Sequence, residues 1–183
     1  MKVTPTKIKG VYIIEPRVFQ DSRGYFFESF SKRDFETATG EKIDFVQDNE
    51  SCSTKGVVRG LHFQKPPFSQ SKLVRCVVGK VLDVAVDIRK DSPTYGEYVA
   101  VELSEDNHLQ FFLPKGMAHG FEVISDVVIF QYKCDEYYHP EAEGGLDPFD
   151  PDIKIDWNVV KENAVLSEKD KKHPRLKEFN SPF

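Results

Sequence analysis

Cysteine is scarce in this chain of 183 residues: only Cys52, Cys76 and Cys134, widely spaced and odd in number. They form no CxxC pair, so neither a disulfide framework nor a cysteine-rich zinc site is expected. A reducing compartment suits them, and the cytoplasm is the expected location. No apolar run approaches the ~20 residues of a membrane-spanning helix. The first ten residues carry lysines but no apolar stretch of the signal-peptide kind. No membrane association or export is therefore expected. An excess of positive charge is also missing. The net charge of -5 argues against broad nucleic-acid binding, although a local cluster of cations could still hold a small anion.

Several catalytic devices are absent too. There is no Walker loop and no GxGxxG, so phosphates are not held in those ways. No nucleophile elbow supports Ser-His-Asp chemistry. No His-x-His occurs, and the positions two residues to either side of His62 are Gly60 and Gln64. No metal is therefore expected, unless histidines distant in sequence converge. Repeats, low-complexity stretches and Pro/Gly-rich linkers are also lacking, and residues 1–183 are expected to form one domain.

What the chain does have is short apolar, β-branched runs separated by turn residues: Val11–Glu15, Tyr25–Phe30, Val57–Phe63, Leu73–Val78, Val81–Ile88, Tyr98–Leu103, Leu109–Leu113 and Val127–Tyr132. In the fifth run Leu82, Val84, Val86 and Ile88 alternate with Asp83, Ala85 and Asp87, the period of a half-buried strand. Gly79-Lys80, between two runs, reads as a hairpin turn. Helical signals are few. Ser31 can cap a helix that ends at Gly40, with Asp34 in its first turn and Phe30 stapled onto Phe35. A second short helix is expected from Ser167. The 15 phenylalanines suit a thick β core or a pocket that stacks rings. Many short strands with few helices predict an all-β sandwich or barrel.

The densest polar segment is Val58-Arg59-Gly60-Leu61-His62-Phe63-Gln64. Arg59 and His62 are three apart, so a regular strand would send them to opposite faces. Sharing one pocket requires a bulge, for which Gly60 is the obvious place. Taken singly, the other polar residues have ordinary readings. Lys72 opens an apolar run, where a lysine is often an edge gatekeeper. Tyr132 shares a strand face with Val128 and Phe130, as a core tyrosine would. His119 sits in a tight segment after Pro114, Glu143 is a loop charge, and Asp170 is an acid in a helix first turn.

Together these segments are more specific. Phe19–Ser29, Phe45–Asn49, Val58–Gln64, Lys72–Cys76, Asp83–Arg89, Ala118–Phe121 and Leu166–Asp170 resemble, in order and across nearly the whole chain, the motifs of dTDP-4-dehydrorhamnose 3,5-epimerases. The resemblance implies a cupin-type jelly-roll, a homodimer, no cofactor, and epimerisation at C3 and C5 of dTDP-4-dehydro-6-deoxy-D-glucose. It further implies His62 as general base, Asp170 as its partner carboxylate, Tyr132 as proton donor on the opposite face of the sugar, and Lys72 beside the C4 oxygen. Arg23, Glu28, Gln47, Asn49, Arg59, His119, Glu143 and Lys169 match ligand-binding positions. Tyr138 matches a stacking partner for thymine. Arg23, Phe26 and Glu28 are expected to reach the neighbouring subunit's site. Two loops depart from the family pattern, residues 65–70 and 145–150, and bear on substrate preference. Three other readings compete: an epimerase acting at a single carbon, a non-catalytic sugar-binding cupin, and a metal-dependent cupin enzyme.

Overall fold

The computed structural model describes residues 1–183, and the strands of its sheets all pair antiparallel. One sheet has six strands in the order β1 (Lys2–Pro5), β2 (Tyr12–Glu15), β10 (Gln110–Leu113), β7 (Lys72–Val78), β12 (Val127–Cys134) and β5 (Gln47–Thr54). The other has five, in the order β13 (Glu143–Gly145), β6 (Val58–Gln64), β11 (Met117–Val123), β8 (Lys80–Asp87) and β9 (Tyr98–Ser104). A separate two-stranded ribbon joins β3 (Phe19–Asp21) to β4 (Gly24–Phe26). This is the all-β, two-sheet jelly-roll that the resemblance implies.

The inner faces of the two sheets meet in one apolar layer: Val74, Phe111 and Phe130 from the six-stranded sheet, Ala85, Val101 and Phe121 from the five-stranded one. Phe35, Phe111, Phe112 and Phe130 are fully buried. Much of the phenylalanine therefore serves the core, where each buried ring contributes roughly 1.5–3 kcal/mol. The outer face of the six-stranded sheet is covered by the helix α1 (Lys32–Thr39), whose Phe35 packs on Ile14, Leu73 and Phe112. Its local signals hold: the Asp34 N–H donates to Ser31 Oγ, and Gly40 ends the helix at φ 76°. The Phe30 and Phe35 rings lie 6.1 Å apart.

Four local expectations differ from the structure. β7 and β8 pair with different neighbours in different sheets, so Gly79 is a corner between the sheets rather than a hairpin turn. β8 is also not half-buried. Val84, Val86 and Ile88 pack against Leu146, Ile153 and Trp157 of the C-terminal segment, while Asp83 is buried on the other face. The alternation was real, but a covering segment some sixty residues later shields the face that would have met water. The run from Tyr25 leaves the strand at Phe26, and the expected second helix is a single 3-10 turn, Asp170–Lys172. Strands β1, β3, β5, β11 and β13 were not expected.

Candidate active site

The site starts from a one-residue irregularity between β6 and β11. His119 pairs with His62 and Phe121 with Arg59, so two steps on β11 face three on β6. The extra residue is accommodated at Gly60, whose φ of 125° is open to glycine and strained for other residues. The bulge offsets Arg59 from His62 by one residue relative to a regular strand, which is the irregularity that parity demanded of a shared pocket.

A pocket of about 330 Å³ opens at this end of the sandwich. His62 and Gln64 line it from β6, Lys72 from β7, Tyr132 from β12, and Gln47 and Asn49 from β5, with Tyr138 and Glu143 at one side. Inside it, His62 Nε2 lies 2.6 Å from Asp170 Oδ1. The histidine side chain is 32% exposed and the carboxylate 4%, so the ring reaches the pocket while its partner is sealed behind it. The Asp170 N–H donates to Ser167 Oγ at 3.0 Å, which ties down the turn that carries it. Burial works against ionisation of Asp170. Contacts with His173, His62 and Ser167 outweigh it and hold the carboxyl well below the usual range. An ionised Asp170 accepts a hydrogen bond, so Nε2 of His62 carries the proton and Nδ1 is left as the basic nitrogen.

Lys72 forms no ion pair, and its ammonium lies 5.6 Å from the centre of the Tyr132 ring. Burial lowers its pKa. Burial also raises that of Tyr132, which keeps the phenol protonated. Both groups line the pocket, so a cation and a weak acid stand beside a base.

A polar chain runs along the rim. Gln47 Nε2 donates to Asn49 Oδ1, the Tyr138 N–H donates to Gln47 Oε1, and the Tyr138 hydroxyl donates to Glu143 Oε2 at 2.5 Å. Lys169 pairs with the same Glu143 oxygen. Burial raises the Glu143 pKa, but Lys169 and Tyr138 more than offset this. The Tyr138 phenol is pushed up to about 12, chiefly by its bond to Glu143, and its ring stays half exposed. Arg59 donates from Nε to Ser53 Oγ at 3.0 Å, which ties β6 to β5 across the mouth of the sandwich.

The other expected residues lie elsewhere. His119 is beside His62 in register, but it is buried, and its Nε2 sits 3.0 Å from both oxygens of Asp83. Arg23, Phe26 and Glu28 do not line the pocket of this chain. Arg23 pairs with Asp21 on the ribbon, where Phe26 is 66% exposed.

Residues 5–178 match the family model described as dTDP-4-dehydrorhamnose 3,5-epimerase. The chain belongs to that family. The family's enzyme from Shigella flexneri is 54% identical over 170 residues, covering 93% of either chain. The crystal structure of dTDP-4-dehydrorhamnose 3,5-epimerase from Elizabethkingia anophelis superposes with a TM-score of 0.94 at 49% identity, covering 98% of each chain. A dTDP-6-deoxy-D-glucose-3,5-epimerase from Legionella pneumophila, solved in complex with dTDP-4-keto-L-rhamnose, gives 0.94 at 46% identity, covering 98% of this chain and 94% of that one. The chain is thus an epimerase of the cupin-type jelly-roll class.

Within this epimerase two residues of interest had escaped the sequence reading. Asp83 was visible as an acid in an apolar strand, with nothing to show that it faced His119. His173 had no signal at all, following three charged residues at the end of a motif. Its ring lies edge-on to His62, centroids 5.6 Å apart, and rests on Gly145. Both departing loops touch this region: Gln70 lines the pocket, and Gly145 pairs with His62. A Cβ on Gly145 would stand 2.4–2.6 Å from three atoms of the His173 ring. Gly145→Ala is therefore expected to destabilise the fold by roughly 1–3 kcal/mol through overpacking. His173→Ala in the same chain should relieve most of that loss, and thermal unfolding of the single and double variants measures the coupling.

Proposed function

We propose that this epimerase inverts C3 and C5 of dTDP-4-dehydro-6-deoxy-D-glucose to give dTDP-4-dehydro-L-rhamnose. The observation that carries the reading is His62, held by a buried carboxylate in a pocket also lined by Lys72 and Tyr132. A C–H bond beside a ketone is weakly acidic, and its electrons must move onto the C4 oxygen as the proton leaves. His62 Nδ1 takes the proton, and Asp170 steadies the imidazolium through Nε2. Lys72 neutralises the oxyanion. Tyr132 returns a proton to the other face of the carbon and is reprotonated from solvent.

The magnitudes require all of these parts. Enzymatic acceleration starts near ~10⁶, or ~8 kcal/mol. A positioned base supplies roughly 10²–10⁴ of it. The cation at the oxyanion is the main source of the rest. Arg59 offers a forked donor to the diphosphate, Tyr138 stacks on thymine, Gln47, Asn49, Glu143 and Lys169 complete the nucleotide-sugar site, and His119, held by Asp83, backs it beside His62. The working form is a homodimer of single-domain chains in the cytoplasm, without a cofactor. Arg23 and Phe26 of one ribbon, with Glu28 just beyond it, complete the partner's pocket. Support for the dimer comes from the ribbon itself: two strands of three residues, all exposed, with Phe19, Tyr25 and Phe26 unburied. Isolated two-stranded ribbons are marginal in water.

The test is incubation with dTDP-4-dehydro-6-deoxy-D-glucose in D₂O, following the C3 and C5 protons by NMR. Loss of both is expected. Loss of one alone would replace the reading by a single-carbon epimerase, and loss of neither would overturn it.

A further inference from the structure

The sequence contains no His-x-His, yet two histidines converge on one carboxylate. His62, Asp170 and His173 each present a ligand atom, and these atoms all lie within 4.8 Å of one another. Two imidazoles and a carboxylate suit zinc and its first-row neighbours. We infer that this cluster binds a divalent transition-metal ion of the zinc type, and that the bound ion switches off the base by taking Nε2 of His62.

One half of the site is already formed. His173 Nε2 lies 3.6 Å from Asp170 Oδ1, too far for a hydrogen bond. Bonds of about 2.1 Å to a tetrahedral ion place neighbouring ligand atoms about 3.4 Å apart. The His173 side chain is only 10% exposed, and its Nε2 is buried with no hydrogen-bond partner. A buried ring nitrogen without a partner is unfavourable whichever tautomer it adopts, and a metal bond satisfies it. The second half must open. His62 Nε2 is 2.6 Å from the same oxygen and has to withdraw by roughly 0.8 Å to reach that spacing. It is the one member of the set with exposed surface on the pocket side, so it has room to move. The ion takes the place that a proton holds between His62 and Asp170, and a water completes the tetrahedron.

Inhibition follows from the tautomer. In the free enzyme Nε2 bears the ring proton and Nδ1 bears the lone pair. A neutral imidazole bound to metal through Nε2 carries its proton on Nδ1. One proton leaves Nε2 and one is taken up at Nδ1 through solvent, with no net change on the ring. The nitrogen that should accept the substrate's proton is then an N–H. His119 provides an internal contrast, because its Nε2 meets Asp83 alone and no second histidine joins them.

The metal site itself does not depend on the proposed reaction, but its inhibitory effect does, so binding and inhibition are read separately. Cobalt(II) chloride titrated into the whole protein is expected to bind once per chain, with the visible absorption of a tetrahedral ion. Zinc chloride is expected to shift the ring nitrogens of His62 and His173 in long-range ¹H–¹⁵N spectra while leaving His108, His119 and His139 in place. It should also stop C3 and C5 exchange until a chelator is added. His173→Gln is expected to weaken cobalt binding and zinc inhibition at least ~10–100-fold, each measured against the variant's own metal-free baseline. The histidine spectra use the unaltered chain, so they decide the matter even if that variant folds poorly. Absence of a one-to-one cobalt complex, or zinc shifts on other histidines instead, would overturn the proposal. Binding without inhibition would overturn its second half, and a chain that bound cobalt but never exchanged deuterium would instead count against the proposed reaction.

Discussion

His62→Ala is expected to lower deuterium incorporation at both C3 and C5 by roughly 10²–10⁴, with affinity for dTDP nearly unchanged. The split follows from geometry. His62 meets Asp170 through Nε2 and takes no part in the rim chain of Gln47, Tyr138 and Glu143. In the proposed mechanism one base serves both carbons, so both rates are expected to fall together. Single-turnover exchange followed by NMR, beside calorimetry with dTDP, measures both quantities. Retained exchange would remove His62 from the base role, and loss at one carbon only would require a second base. The substitution also leaves the buried Asp170 without its hydrogen-bonded partner. Some loss of thermal stability is therefore expected, and His62→Asn separates that effect from the lost base.

Lys72→Met is expected to cost kcat about 10²–10³, the usual toll for deleting a group that stabilises an oxyanion. Lys72 is a cation with no carboxylate in ion-pair range, and burial presses it toward neutrality. Such a group is a burden on folding, since Asp83 and Glu143, neither in ion-pair range, offset only part of its desolvation. Methionine keeps much of the stem and drops the charge. The variant should thus melt at the same temperature as the parent or higher, while KM changes little. Higher stability with lost turnover is the signature of a residue kept for chemistry. Unchanged turnover would assign the oxyanion to another group, and a lower melting temperature would make Lys72 structural.

The parts of the fold that could be read from sequence were those set by local chemistry. Helix α1 carried its own cap, staple and terminal glycine within Phe30–Gly40. The alternation of Leu82 to Ile88 marked β8 as a strand, but whether its second face met water depended on Ile153 and Trp157, far along the chain. β5 was hidden because Gln47–Thr54 is polar on both faces: Gln47 and Asn49 look into the pocket, while Asp48 and Glu50 look outward. β11 was hidden for the opposite reason, being buried throughout and so without a period. The need for a bulge near Gly60 was legible from parity alone. The contact of His62 with Asp170 spans 108 residues, and no local pattern announces it. Only the family resemblance pointed to that pair, and it was silent on His173.

The Gly60 bulge has a consequence for tolerance to change. A Cβ on Gly60 would fall 2.6 Å from Gly120 Cα, and one on Gly120 would fall 2.6 Å from Arg59 O. Each glycine occupies the space the other's side chain would need, so the two strands interlock there like a key and its notch. A slip that brought any other residue to either place would drive its Cβ into the facing main chain, and neither position can drift to alanine alone. The setting of His62, the proposed base, is thus guarded by two residues that bear no chemistry. In a saturation screen for loss of exchange, positions 60 and 120 should prove as intolerant as position 62 itself.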